Sequence, residues 1–159
     1  MNDTPLLTRA TLEDLPQLLV LIQEFCSIDK HDFDEQRIAD CLPALLESDD
    51  DGVVWKIGDP AVGYAVVTWG YSLESGGREA LIDEIYLRTR GKGVGTRAIN
   101  AILDDCRARG CKIVFLETEA RNARVRSFYA RAGFAADDSI WMSLPLDYVD
   151  GSLSDDDFR

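Results

Sequence analysis

Histidine is nearly missing from this chain: His31 is the one imidazole in 159 residues. A metal centre built on imidazole therefore has few ligands to draw on, and none is expected. The cysteines Cys26, Cys41, Cys106 and Cys111 show no C-x-x-C pairing to make up the deficit. Three of them fall on helix faces among Leu, Ile and Phe, so they read as reduced, mostly buried thiols of a cytoplasmic protein rather than a disulfide framework. Long apolar runs are absent too. Leu18 to Ile22 and Ala61 to Val67 fall far short of the ~20 residues of a membrane-spanning helix. Met1 to Arg9 lacks the basic-then-apolar pattern of a signal peptide. Basic residues are scarce: 17 Lys and Arg against 29 Asp and Glu leave a net charge of −12. That argues against a ligand held through its phosphates on a Lys/Arg surface, nucleic acid above all. It suits a cationic substrate drawn in by a negative field, although acidity also serves solubility alone.

What is present is the make-up of a folded domain, with 46 % hydrophobic and 29 % charged residues. No linker or repeat divides the chain, so residues 1–149 read as one domain and 150–159 as an acidic tail. Leu6 to Arg9 reads as a strand. Thr11 caps a helix with Leu15, Leu18, Leu19, Ile22 and Cys26 at helical spacing. A break over Ser27 to Phe33 holds His31 among Asp29, Asp32, Asp34 and Glu35. A second helix from Asp34 carries Ile38, Cys41, Leu42, Leu45 and Leu46 on one face. Strands follow at Val53 to Ile57, Ala61 to Tyr71 and Ala80 to Leu87, separated by Gly58-Asp59-Pro60 and Ser75-Gly76-Gly77. A helix begins near Val94 and stops at Gly110. Lys112 to Thr118 is a strand, Asn122 caps a helix closed by Gly133, and Ile140 to Leu144 is a last strand. The order β-α-α-β-β-β-α-β-α-β predicts one mixed sheet flanked by helices.

Between the third long strand and its helix lies Arg90-Gly91-Lys92-Gly93-Val94-Gly95. A strand, a basic glycine-rich loop and a helix together cradle phosphate, because bare amides and the positive helix end both face the anion. Two familiar versions fail. G-x-G-x-x-G from Gly91 needs glycine where Thr96 stands, and G-x-x-x-x-G-K-[ST] fails at the same residue. The six residues instead resemble the [QR]-x-x-G-x-[GA] loop of the GNAT (Gcn5-related) N-acetyltransferases. Asn122-Ala-Arg-Val-Arg-Ser-Phe128-Tyr129-Ala-Arg-Ala-Gly133-Phe134 is similar to that family's Asn…Phe-Tyr-x-x-x-Gly-Phe helix. The resemblance runs from about Leu6 to Leu144. One departure is that only Arg88 and Thr89 separate Leu87 from Arg90, where many members have a longer, Pro-containing link.

The resemblance implies the GNAT acyl-CoA N-acyltransferase fold, a mixed and mostly antiparallel sheet, and acetyl transfer from acetyl-CoA to an amine without a metal. It also implies cofactor contacts from Ile85, Tyr86, Leu87, Arg90, Gly91, Lys92, Gly93, Val94, Gly95, Thr96, Asn122 and Phe128. A primary ammonium of pKa ~10.4 is neutral in about one molecule per 2,500 at pH 7, a deficit of about 4.6 kcal/mol, so something must remove a proton. Asp83 and Glu84 stand side by side on an otherwise apolar strand, and period two sends them to opposite faces. In the family an acid at the place of Asp83 acts as base, directly or through water; Glu84 then contacts substrate or supports the site. By the same resemblance the Leu87 amide, or a neighbour, meets the oxyanion, and Tyr129 protonates the departing thiolate. Asn122 has helix capping and a cofactor contact open to it, and Arg121, Arg124, Arg126 and Arg131 read chiefly as a solvated face. The acidic surroundings of His31 border the acceptor side in this family, and Tyr71 at a strand end is a further candidate there. The expected acceptor is a small, cationic amine attacked in a ternary complex; a homodimer is left open. The alternatives are acetylation of a protein Lys or N-terminus, and a CoA-binding sensor without turnover.

Overall fold

Period-two alternation lets a single sheet bury its two faces under different helices. In the computed structural model, which describes residues 5–146, β1 (Leu7–Arg9), β2 (Gly52–Ile57), β3 (Gly63–Ser72), β4 (Gly77–Leu87) and β5 (Ile113–Leu116) lie side by side in that order. Only the β4–β5 pair is parallel. Val54, Tyr64 and Val66 on one face pack with Leu18, Leu21 and Ile22 of α1 (Leu15–Asp29) and Leu42 and Leu46 of α2 (Glu35–Glu47). On the other face Val53, Val67, Ala80 and Ile82 pack with Ala98, Ile99, Ile102 and Cys106 of α3 (Val94–Ala108). Phe128 and Tyr129 of α4 (Ala123–Arg131) join that second cluster. Each fully buried Leu, Ile or Val adds about 1.5–3 kcal/mol. No described helix is long and apolar enough to cross a membrane.

The expected mixed sheet with flanking helices is present, with three differences. A turn of 3-10 helix, Leu12–Asp14, precedes α1; the Thr11 amide donates to Asp14 Oδ2 at 2.9 Å. Helix α1 runs through Asp29, into the expected break, and stops where Lys30 turns left-handed at φ 57°. Ile140 to Leu144 is not a strand, and its apolar side chains Ile140, Trp141, Met142 and Leu144 are exposed. β-propensity measures fit to a pleated surface and does not by itself make a ladder, even where β5 ends the described sheet with an unpaired edge. Cys41 is exposed rather than buried, whereas Cys26 and Cys106 are in the core; burial pushes the Cys106 thiol up to about 12. The acidic tail 150–159 lies outside the described residues.

Candidate active site

Gly91, Lys92 and Gly93 all adopt positive φ, at 88°, 56° and 71°. Only glycine takes that conformation freely, and Lys92 holds it at a cost. Nothing lies within 4 Å of where a Cβ would sit on Gly91 or Gly93, so the loop is open on its outer side. Gly93 precedes α3 and offers no side-chain cap, and no acidic residue stands in the first turn. The first bond across this end runs from the Arg97 amide to the Gly93 carbonyl at 3.1 Å. The amides of Val94, Gly95 and Thr96 therefore have no helical acceptor. The starts of α2 and α4 differ, each carrying a side-chain cap. Asp34 accepts from the Arg37 amide at 3.0 Å and Asn122 from the Val125 amide at 3.1 Å. Three free donors at a positive helix end fit a diphosphate such as that of coenzyme A.

Beside this loop, β4 loses a neighbour. Its pairing with β5 ends at Ile82 and Leu116, yet the strand continues to Leu87. The Arg88 amide donates to the Val62 carbonyl at 2.9 Å, on the β3 side. Antiparallel alternation then turns the main-chain groups of Leu87 and Ile85 away from β3, into the gap. Phe128 closes the arrangement from α4. Its Cζ lies 3.5 Å from the Cβ position of Gly95, with Leu87 Cδ1 at 3.6 Å, so Gly95 admits the contact that brings α4 to the loop.

Asp83 and Glu84 do not diverge as period two predicts. Val66 opposes Glu84 while Val67 opposes Ile82, leaving Asp83 as the extra residue of a β-bulge. The parity breaks there: Ile82, Ile85 and Leu87 all enter the α3-side cluster, while Tyr86 packs on the α1/α2 side. Counting from Leu81 puts Asp83 on that α1/α2 side, and Glu84 pairs with Val66 on the same side. The buried Tyr64 hydroxyl donates to Glu84 Oε2 at 2.6 Å. Burial holds the Tyr64 proton well above the usual phenol range, so it stays a donor. Loss of water lifts the Glu84 carboxyl above its usual range; the Tyr64 hydrogen bond offsets part of this and the Asp83 charge adds to it. Asp83 is exposed as a residue, but protein hemming in its carboxyl raises it likewise. His31 lies near enough for its charge to act on Glu84, and its Nδ1 is 3.2 Å from Asp29 Oδ2.

Tyr129 stacks edge-on with Phe128 and Phe134 at centroid distances of 5.2 and 5.7 Å. Its hydroxyl has no hydrogen-bond partner among the described residues, and burial raises its pKa, so it keeps its proton at neutral pH. Asn122 caps α4, as one of its two expected roles requires. Arg126 is tied to the carbonyls of Glu119 and Ala120, and Arg131 to Ser127, which leaves that basic stretch a solvated helix face. Tyr71 pairs with Arg78, at the opposite end of β4 from the loop, and is not brought to the site.

Two partners at the site were not legible in the sequence. Tyr64 meets Glu84 only through strand register. Glu24 on α1 receives both Arg88 Nε and Nη2, at 2.9 and 2.8 Å, and the Tyr86 hydroxyl at 3.2 Å. This clamp anchors the first residue past β4 to α1. The only sequence signal was a lone Glu on the polar side of an amphipathic helix, which has no direction to it.

A model of the acetyltransferase (GNAT) family matches residues 15–134. An uncharacterised N-acetyltransferase of Methanocaldococcus jannaschii is 31 % identical over 132 residues, 78 % of this chain; the chain spans 58 % of that relative's length. The crystal structure of an integron cassette protein from a salt-marsh metagenome superposes with a TM-score of 0.79 at 30 % identity, covering 89 % of this chain and 91 % of the other. An aminoglycoside acetyltransferase from an uncultured soil sample, solved with sisomicin, has the same fold at a TM-score of 0.70 and 19 % identity, covering 88 % and 95 %.

Proposed function

Because this chain belongs to the GNAT acetyltransferase family, we propose that it transfers an acetyl group from acetyl-CoA to the primary amine of a small cationic acceptor. One observation carries the reading: the partnerless amides of Val94 to Thr96 and the outward-turned amides of Ile85 and Leu87 converge where β4 enters the glycine loop. Acetyl-CoA, when bound, supplies the acetyl group as an activated thioester. The loop amides with Arg90 and Lys92 hold its diphosphate, and the free edge of β4 holds the extended arm as a sheet holds an added strand. The Leu87 N–H is a preorganised donor for negative charge developing on a carbonyl at the strand end.

Asp83 takes the proton from the acceptor ammonium, directly or through a water. Its raised pKa makes it a stronger base than a free aspartate. Glu84, fixed by Tyr64, orients the cation beside it. Tyr129, kept protonated by burial, gives a proton to the thiolate as it departs. The acidic balance of the chain and the two carboxylates on the acceptor side favour a positively charged acceptor. Attack is direct, within a ternary complex. Cys26 and Cys106 are buried thiols with raised pKa values, poor acyl carriers.

The test is free-thiol release from acetyl-CoA across monoamines, diamines, aminoglycosides and peptides. Release with small cationic amines is expected. Release only with peptides would move the acceptor to protein, and tight coenzyme A binding without release for any amine would leave a sensor.

A further inference from the structure

The bulge at Asp83 divides the α1/α2 side of the sheet into two regions. On β3 the core under these helices takes in Tyr64 and Val66 and goes no further. Beyond the bulge the same face continues as Leu81 and Glu79 on β4, paired with Thr68 and Gly70 on β3. In-register pairing adds Phe115 beside Leu81 and Ile113 beside Glu79 from β5, while Val114 and Leu116 turn into the α3-side core. No helix among the described residues covers this half. It forms a slot of about 190 Å³ whose floor is Leu81, Phe115 and Thr68. Trp141, 80 % exposed, stands along it as a wall.

Two carboxylates share this face of β4: Glu79 lines the slot, and Asp83, two residues past Leu81, lies just outside its lining. Asp83 stands where the floor meets the bulge, on the face shared with Leu81 and Glu79. At the far end Glu79 has one carboxylate oxygen held by the Ser75 hydroxyl at 2.8 Å. Its other oxygen faces Gly70, where a Cβ would come within 3.8 Å of it, so the missing side chain leaves that oxygen uncovered. No Lys or Arg is among the residues lining the slot. Four residues of strand separate the two carboxylates, roughly 13 Å at 3.3 Å per residue.

Resting on the acetyltransferase reading, we infer that this trough selects a linear acceptor with two cationic ends, an α,ω-diamine or polyamine. The reacting amine lies at Asp83, the second ammonium at Glu79, and the methylene chain over Leu81 and Phe115 beside Trp141. Apolar floor, aromatic wall and terminal carboxylates match such a molecule in each part: methylenes leave water against Leu and Phe, and an ammonium gains from a carboxylate and a nearby indole face. A short diamine cannot span both carboxylates, and a monoamine has nothing for Glu79.

The test is kcat/KM for a series of α,ω-diamines of increasing length, each beside the monoalkylamine of equal length, with calorimetric binding of the unreacted amines as a second readout. Expected is a rise to a length that bridges the two ends, where diamine exceeds matched monoamine about tenfold. Glu79→Gln should remove about tenfold of that ratio, and Trp141→Ala should weaken the binding of long chains most. Acetylation that is flat in chain length, or a diamine-to-monoamine ratio unchanged in Glu79→Gln, overturns the trough and leaves the acetyltransferase reading standing. No acetylation of any amine overturns both.

Discussion

The two halves of β4 are one strand with two fates. From Gly77 to Ile82 it is paired to β3, gains β5 from Glu79 onward, and sends Ala80 and Ile82 into the α3-side core. From Asp83 to Leu87 it keeps β3 but has no partner on the other side among the described residues, carries two carboxylates and ends in a loop of left-handed residues. From Glu79 on, the first half has both backbone edges paired, so it offers a ligand only the side chains Glu79 and Leu81 that line the slot. The second leaves amides, charges and backbone conformations unsatisfied by the protein. Those are the properties a ligand can use, and the stable half holds them in place.

Breaking the open half at its carboxylate should have the largest effect. Asp83→Asn removes the proton acceptor, and kcat/KM should fall by about 10²–10⁴-fold. A base must be ionised to work, and this one has a raised pKa. The acid limb of the wild-type profile should therefore lie above the ordinary aspartate value of ~3.9. A variant with the wild-type profile would take the base elsewhere. Tyr129→Phe should lower kcat about a hundredfold while the KM for acetyl-CoA stays within about twofold, as removal of a general acid predicts. Equal loss in both would make the tyrosine a binding group. Gly93→Val forces a branched residue to φ 71°, at roughly 1–2 kcal/mol or more. Coenzyme A affinity, measured by calorimetry, should drop about tenfold. The closed half responds in another currency. Ile82→Ala, 4 % exposed, should cost about 2–5 kcal/mol of stability in a denaturant titration and leave coenzyme A affinity in the surviving folded fraction near wild type.

Much of this division was legible in the residues. The order of elements through α4, the helix start at Asp34, the cap at Asn122 and the glycine loop follow from periodicity and from what each residue type can do locally. The bulge was not legible. Whether Asp83 is the extra residue depends on which β3 carbonyls it meets, and a period-two reading has no term for that. The same holds for Tyr64 and Glu84, 20 positions apart, which touch because Tyr64 pairs with Tyr86 and Val66 with Glu84. Ile140 to Leu144 erred the other way: its alternation suits a strand, yet it does not pair with the outer edge of β5, the last strand of the described sheet. Local chemistry was readable, and register was not.

The smallest effect concerns two glutamates whose pH dependences have opposite signs. Burial raises the Glu84 carboxyl. Its contribution to stability is fully present below the unfolded value of ~4.3 and is lost as pH rises through the higher folded value. Glu84→Gln escapes that loss and can still accept from Tyr64, so its melting temperature should gain on wild type as pH rises from 4 to neutrality. The hydrogen bonds from Arg88 lower the Glu24 carboxyl against a smaller effect of burial. Its stabilisation is present above the unfolded value and is lost as pH falls through the folded one. Glu24→Gln should therefore melt below wild type at neutral pH, with the gap closing in acid. The bridge is solvent-exposed, so the effect is small. Two gaps that both widened toward acid, or neither changing with pH, would mean that the open half of β4 carries its carboxylate at no cost to the fold. The contrast between the halves would then rest on geometry alone.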